Sequence, residues 1–163
     1  MIHRLSETIA FILEKLLVPF LMMLLFVLVF FQVLNRFILH IPIAWTEEFG
    51  RYAFVWASLL GASEAARKGE HLNVTFFQDM IGGMGKHIMV IASELLSIIF
   101  FCFLIFQGFS WTFRNGFKVM ADSVPLPMFF IQVIVPVSST ITVLFIADQL
   151  VTYLKKHGSK VKT

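Results

Sequence analysis

Four charged residues lie between two long apolar stretches of the sequence: Arg36, Glu47, Glu48 and Arg51. Two carboxylates and two guanidinium groups can form ion pairs, or the carboxylates can bind a proton or a cation. Arg51 follows Glu47 by four residues and Glu48 by three, so on a helix it can meet either carboxylate. Two interpretations remain open, a charge-neutral clamp between helices or to a partner, and an ion or proton site. The balance of charge favours the clamp.

Other chemistry is sparse in the sequence. Glu94 lies in an apolar stretch, where it can bind a coupling ion or, as we favour, make a structural ion pair or hydrogen bond. The five histidines show no metal-ligand spacing, and no catalytic or nucleotide-binding motif is present. We therefore expect no enzyme activity, no metal and no cofactor.

The composition is that of a membrane protein. The chain has 163 residues, of which 58% are hydrophobic and 14% charged, and 20 are Phe. A soluble domain carries about 25% charged residues. The net charge of +3 comes from basic residues placed between apolar stretches, which indicates contact with membrane lipids rather than with nucleic acid.

The apolar stretches predict an all-α integral membrane protein with four transmembrane helices, at about 16–39, 44–66, 87–113 and 127–154. Residues 1–15 predict an amphipathic interfacial helix, although a helical extension of the first span fits as well. Residues 71–85 predict a short interfacial helix between spans two and three. Residues 155–163 are a basic tail. The first span is too long for a cleavable signal and has no cleavage site, so we expect it to be retained.

Two features of the spans predict helix packing. Ala53, Ala57, Gly61 and Ala65 repeat at every fourth position and form a stripe on which a second helix can lie closely. Pro136 lies inside the fourth predicted span and should kink it, with neighbouring hydroxyl groups available to bond the backbone.

The distribution of basic residues predicts the orientation. If the N-terminus is inside, the inner segments hold nine basic residues and the outer segments hold four. The outer four are Arg36, Arg51, Arg114 and Lys118. An excess of Lys and Arg marks the cytoplasmic side, so we expect both termini in the cytoplasm.

Several motifs resemble one known family, the small membrane subunit (DctQ-like) of tripartite ATP-independent periplasmic (TRAP) transporters. They cover most of the chain from residue 35 to about 145. They are Asn35-Arg36-Phe37, Trp45-Thr46-Glu47-Glu48, Arg51-Tyr52, Gly61-Ala62, Arg67-Lys68-Gly69-Glu70-His71 and Ser123-Val124-Pro125-Leu126-Pro127.

The resemblance implies a function that the residues alone do not show. It implies a bacterial inner-membrane protein that packs against a large TRAP permease subunit and helps to receive a periplasmic substrate-binding protein. The system would import an organic acid, such as sialic acid or a C4-dicarboxylate. An ion gradient, usually of sodium, would drive the import. Because the chain ends after four predicted spans, it resembles an unfused small subunit.

Three residues near the outer ends of the spans become docking candidates for the binding protein: Arg114, Lys118 and Asp122. The alternative function is an independent small transporter of the multidrug type, working as a homo-oligomer. That class needs a carboxylate deep in its first span. Here the first span has no acidic residue between Lys15 and Arg36, which counts against the alternative.

Overall fold

The computed structural model describes residues 2–41, 43–68 and 83–158, and the described part is almost entirely helical. Its elements are α1 (Ile2–Ile12), a π-helical turn (Leu13–Leu17), α2 (Val18–Phe37), α3 (Ala44–Arg67), α4 (Gly83–Asn115), α5 (Phe129–Gln132) and α6 (Ile134–Gly158). Within these ranges the sole β pairing is an isolated bridge between Met120 and Pro127. The predicted all-α class is confirmed.

Three helical stretches of the described residues are long and apolar enough to cross a membrane: Arg4–Phe37, Ile88–Asn115 and Phe129–Lys155. They correspond to three of the four predicted spans and confirm the membrane class. The remaining one, α3, has a much lower apolar content, since it carries Glu47, Glu48, Arg51, Glu64 and Arg67. Its crossing of the membrane stays a prediction.

The helices pack in the order α2, α3, α6, α4. Helix α3 contacts α2 and α6, and α4 packs against α6. The buried apolar core contains Ala57, Leu60, Ile134 and Phe145, which come from α3 and α6. The least apolar long helix is therefore covered on two sides by protein, which shields its polar groups from hydrocarbon.

The N-terminal segment is continuous with the first span. Helix α1 joins α2 through the π turn, and both Ile12 and Leu17 keep helical backbone angles. Ala10 and Leu13 are buried in the core, and α1 contacts α6. These contacts favour the helical extension over a separate interfacial helix for residues 1–15.

The sequence predicted a kink at Pro136 in the fourth span. Regular helix is interrupted at Val133, between α5 and α6, so that Pro136 lies in the first turn of α6. A proline removes the backbone bond to the residue four positions before it, so the interruption lies where a proline kink is expected. Proline is tolerated in a first helical turn, where its missing N–H is not needed. Its ring packs against α4, where a Cβ on Gly108 would lie 3.1 Å from Pro136 Cδ.

Two predicted segments fall largely outside the described residues. The predicted interfacial helix is described only from Gly83, where α4 begins, and the predicted basic tail only to Gly158, where α6 ends.

Candidate functional site

One end of the bundle carries a hairpin, residues 116–128, which links α4 to α5. Its two arms are joined by backbone hydrogen bonds: Ala121 N–H donates to Leu126 O at 2.9 Å, and Met128 N–H to Val119 O at 2.9 Å. Its base is closed by a third such bond, from Phe129 N–H to Gly116 O at 2.8 Å. We call this end of the bundle the hairpin end.

Glu48 connects the hairpin to α3. Its side chain is buried, with the residue 1% exposed. Oε1 accepts the backbone N–H of Asp122 at 2.8 Å, and Oε2 accepts that of Ser123 at 2.8 Å. Tyr52, one turn further along α3, donates its hydroxyl to Oε1. Three donors thus satisfy a buried carboxylate that has no cation beside it among the described residues.

The other members of the predicted charged quartet make no such contacts. Arg36, Glu47 and Arg51 are exposed, and among the described residues no ion pair within 4.0 Å joins any two of the quartet. The expected pairing of Glu48 with Arg51 is therefore not observed, because the hairpin backbone takes its place. Arg36 and Glu47 line one cavity of about 550 Å³ together with Gln32. The part that each plays stays a prediction.

The three docking candidates lie at the hairpin end, and one of them, Asp122, bonds Glu48 through its backbone N–H. Arg114 ends α4, and Lys118 and Asp122 belong to the hairpin; all three side chains are exposed. Large apolar side chains stand beside them, including Phe117 and Met120. The hairpin therefore offers a mixed charged and apolar surface beyond the ends of the apolar helices.

The predicted stripe of small residues divides into two parts. Ala53 and Ala57 are buried within the bundle, whereas Gly61 and Ala65 are half-buried. A Cβ built on Gly61 would meet no atom within 4 Å. The stripe thus curves from the core of this chain to a face that the described residues leave open.

The opposite end of the bundle holds an ion network that the sequence did not predict. Arg67 Nη2 lies 2.6 Å from Glu64 Oε1 and 3.0 Å from Glu14 Oε2, and Lys68 Nζ lies 3.1 Å from Glu14 Oε1. Gln149 of α6 donates its amide to the carbonyls of Ala66 and Arg67 at the end of α3. We call this group the Arg67 network. It ties the π turn, α3 and α6 together.

A buried hydroxyl cluster joins α3 to α6 between the two ends. Ser63 Oγ donates to Ser138 O at 3.1 Å, and Thr142 Oγ1 lies 2.9 Å from Ser63 Oγ. Glu94 of α4 is also buried, and its Oε2 has no hydrogen-bond partner within the described part of the chain. No basic side chain of the described residues pairs with that oxygen, so the two interpretations of Glu94 stay open.

The contacts of Glu48 and of the Arg67 network were missed for the same reason. The bonds from Glu48 to the hairpin and from Glu14 to Arg67 and Lys68 join residues more than 50 positions apart, whereas helical spacing reports only on neighbours three or four positions apart. The Glu64–Arg67 pair is three positions apart, so helical spacing could have found that part of the network. For Glu48 the sequence pointed to Arg51, three positions further along the helix, and gave no sign that the hairpin backbone would take its place. Glu14 and Arg67 offered no signal beyond their opposite charges.

Comparisons with known proteins agree on one family. Residues 25–156 match the model of the DctQ component of tripartite ATP-independent periplasmic transporters. Over 104 residues the chain is 31% identical to the sialic acid TRAP transporter small permease protein SiaQ of Vibrio cholerae, covering 64% of this chain and 60% of that protein. Over 85 residues it is 34% identical to a putative TRAP transporter small permease protein of Haemophilus influenzae, covering 52% of each.

A longer protein also matches. The sialic acid TRAP transporter permease protein SiaT of Haemophilus influenzae is 32% identical over 78 residues, which cover 48% of this chain and 12% of SiaT. The matched regions span less than two thirds of each of these relatives. The family match covers most of this chain, including α3, the hairpin and most of α6. The chain therefore belongs to the DctQ family, the small membrane component of tripartite ATP-independent periplasmic transporters.

Proposed function

We propose that this chain is a non-catalytic subunit that packs against a large TRAP permease in a bacterial inner membrane. The family match over residues 25–156 is the observation that carries the proposal. The match to a 78-residue part of the much longer SiaT supports the proposal, because in SiaT a segment similar to this chain is part of the permease itself.

The proposed complex imports an organic acid that a periplasmic binding protein delivers, and a sodium gradient drives the import. Sialic acid is the first candidate for the substrate, because two of the relatives are named as sialic acid transporters. A C4-dicarboxylate is the second. Both termini are proposed to face the cytoplasm, which places the hairpin end in the periplasm, where a soluble binding protein can reach it.

The surface of α3 that faces the large subunit is proposed to include Gly61, where the small-residue stripe is open. A glycine on an uncovered helix face lets a second helix approach closely. Three exposed charged residues at the hairpin end of α2 and α3 are also proposed to contribute to assembly: Arg36, Glu47 and Arg51. Their exposed charges are unpaired within the described residues and can pair with polar groups of a partner.

Assembly can be tested by co-purification. The affinity-tagged chain is co-expressed with the large permease from the same transport system, and the complex is isolated in mild detergent. Gly61→Leu should leave the chain folded but lower the yield of complex, whereas Phe54→Leu, at an exposed position of the same helix, should not. If the tagged chain purifies only as a homo-oligomer and the co-expressed permease does not co-purify with it, the result would instead support an independent multidrug-type transporter.

A further inference from the structure

We propose that Glu48 is the positioning residue of the docking surface: its carboxylate holds the hairpin in the shape that contacts the periplasmic binding protein. The inference rests on the proposed function. It identifies the side chain that holds the docking surface in place. That side chain lies on α3, whereas the residues that would touch the partner lie at the end of α4 and in the hairpin.

The geometry of the carboxylate restrains the hairpin tip in two directions. The N–H groups of the adjacent residues Asp122 and Ser123 are bound by different oxygens of Glu48, each at 2.8 Å. The tip therefore cannot rotate about one contact without breaking the other. Charged acceptors form stronger hydrogen bonds than neutral ones, and burial excludes the water that would compete for these N–H groups.

Glu48 and Tyr52 provide the hydrogen bonds that join the hairpin to α3 in the described part of the chain. Tyr52 donates to Glu48 and also lies 3.8 Å from Met128 Sδ at the base of the hairpin. The remaining backbone bonds of the hairpin lie within it or connect it to the end of α4 and to α5. Without Glu48 the tip would keep its local turn but lose its fixed position over the helix bundle.

The face that Glu48 fixes suits a soluble protein partner. Lys118 and Asp122 are exposed there, with Val119 and Met120 about half exposed between them. Arg114 adds a second exposed cation at the base. A charged rim around apolar side chains is typical of transient protein interfaces, and the two cations fit a partner surface that carries carboxylates. The competing use of the face is immersion of Met120 among lipid headgroups.

The first test measures the hairpin itself. Hydrogen exchange at the amides of residues 119–126 is followed by mass spectrometry in the complex of this chain with the large permease, held in nanodiscs. Glu48→Gln preserves the size of the side chain but leaves one oxygen and turns an NH₂ group towards the second N–H. Exchange at Asp122 and Ser123 should accelerate by about tenfold. Glu14→Gln is the matched control, because its side chain is 43% exposed and lies at the opposite end of the bundle, and it should leave exchange in the hairpin unchanged.

The second test measures docking. The binding protein of the same system is titrated into proteoliposomes that contain the complex, and uptake is recorded with the radiolabelled acid that the wild-type complex imports, sialic acid or a C4-dicarboxylate. Glu48→Gln should raise the half-saturating concentration of the binding protein by about fivefold and leave the maximal rate unchanged, because only the pre-organisation of the surface is lost. Binding protein should also slow exchange in the wild-type hairpin, and do so much less in the variant.

The outcomes separate the inference from the function beneath it. Unchanged exchange in Glu48→Gln would overturn the restraint, and a loosened hairpin with an unchanged half-saturating concentration would overturn its role in docking. If Glu48→Gln fails to assemble, Tyr52→Phe removes the third donor while keeping the carboxylate, and exchange at the tip should rise by about threefold; no rise would count against the restraint. A wild-type complex that assembles but ignores the binding protein would contradict the proposed function itself.

Discussion

Replacing Arg67 by Met should destabilise the subunit through the carboxylate that the change leaves behind. Glu64 is 9% exposed and is held by Arg67 at 2.6 Å, and its Oε2 already has no hydrogen-bond partner among the described residues. After the substitution the nearest described cation is Lys68 Nζ, 3.8 Å from Oε1.

The size of the effect follows from burial. Removing one partner of a fully buried ion pair costs about 3–5 kcal/mol. Arg67 is 31% exposed and Lys68 remains nearby, so we expect about 2–3 kcal/mol once solvent screening is taken into account. Glu14→Gln removes a carboxylate from the same network, but that side chain is 43% exposed, and its loss should hardly change stability.

The measurement is unfolding of the subunit by sodium dodecyl sulfate in mixed micelles, followed by the fluorescence of its three tryptophans. Arg67→Met should unfold at a clearly lower fraction of denaturant. The double variant Glu64→Gln with Arg67→Met should recover more than half of the loss, because the buried charge is gone. A double variant no more stable than Arg67→Met, or a Glu14→Gln variant equally damaged, would refute the reasoning.

Three further predictions concern packing, polar contacts and orientation. Gly116→Ala should destabilise the subunit by about 1–3 kcal/mol in the same denaturant assay, because the new Cβ would lie 2.5 and 2.8 Å from two backbone atoms. Gly61→Ala is the control: its Cβ would enter open space, so it should be neutral or slightly stabilising. Ser63→Ala should cost about 1 kcal/mol, since its hydroxyl bonds α6 twice; no loss would mean that the cluster adds no stability. An impermeant thiol reagent added outside cells should label cysteines introduced at 116–122 and not those at 158–163, and the reverse pattern would contradict the proposed orientation.

Long apolar stretches made the membrane class predictable from the sequence. A helix in hydrocarbon satisfies its own backbone, so the length of an apolar run is nearly sufficient to place it. Helix α3 was harder because Glu47, Glu48 and Arg51 interrupt the run. The sequence still predicted it, because a membrane-crossing helix of adequate length has to begin before these charges. Its small residues also recur at helical spacing.

What the sequence could not show is where the polar groups find partners. Glu48 binds a backbone 74 and 75 residues away, and any residue type at those positions except proline would supply the same N–H. Arg67 reaches Glu14 because α1 continues through the π turn onto α3 and α6, which depends on packing and not on local spacing. The break before α6, by contrast, has a signal in the sequence, because it lies three residues before Pro136.

The proposed role as a dependent transporter subunit is tested most directly by reconstituted uptake. The purified chain is placed in proteoliposomes alone, with the large permease, and with the large permease and the binding protein, under an imposed inward sodium gradient. Uptake of sialic acid, or of a C4-dicarboxylate in a parallel series, should appear only when all three proteins are present and should stop when the gradient is collapsed. Gradient-driven uptake by this chain alone would contradict the account.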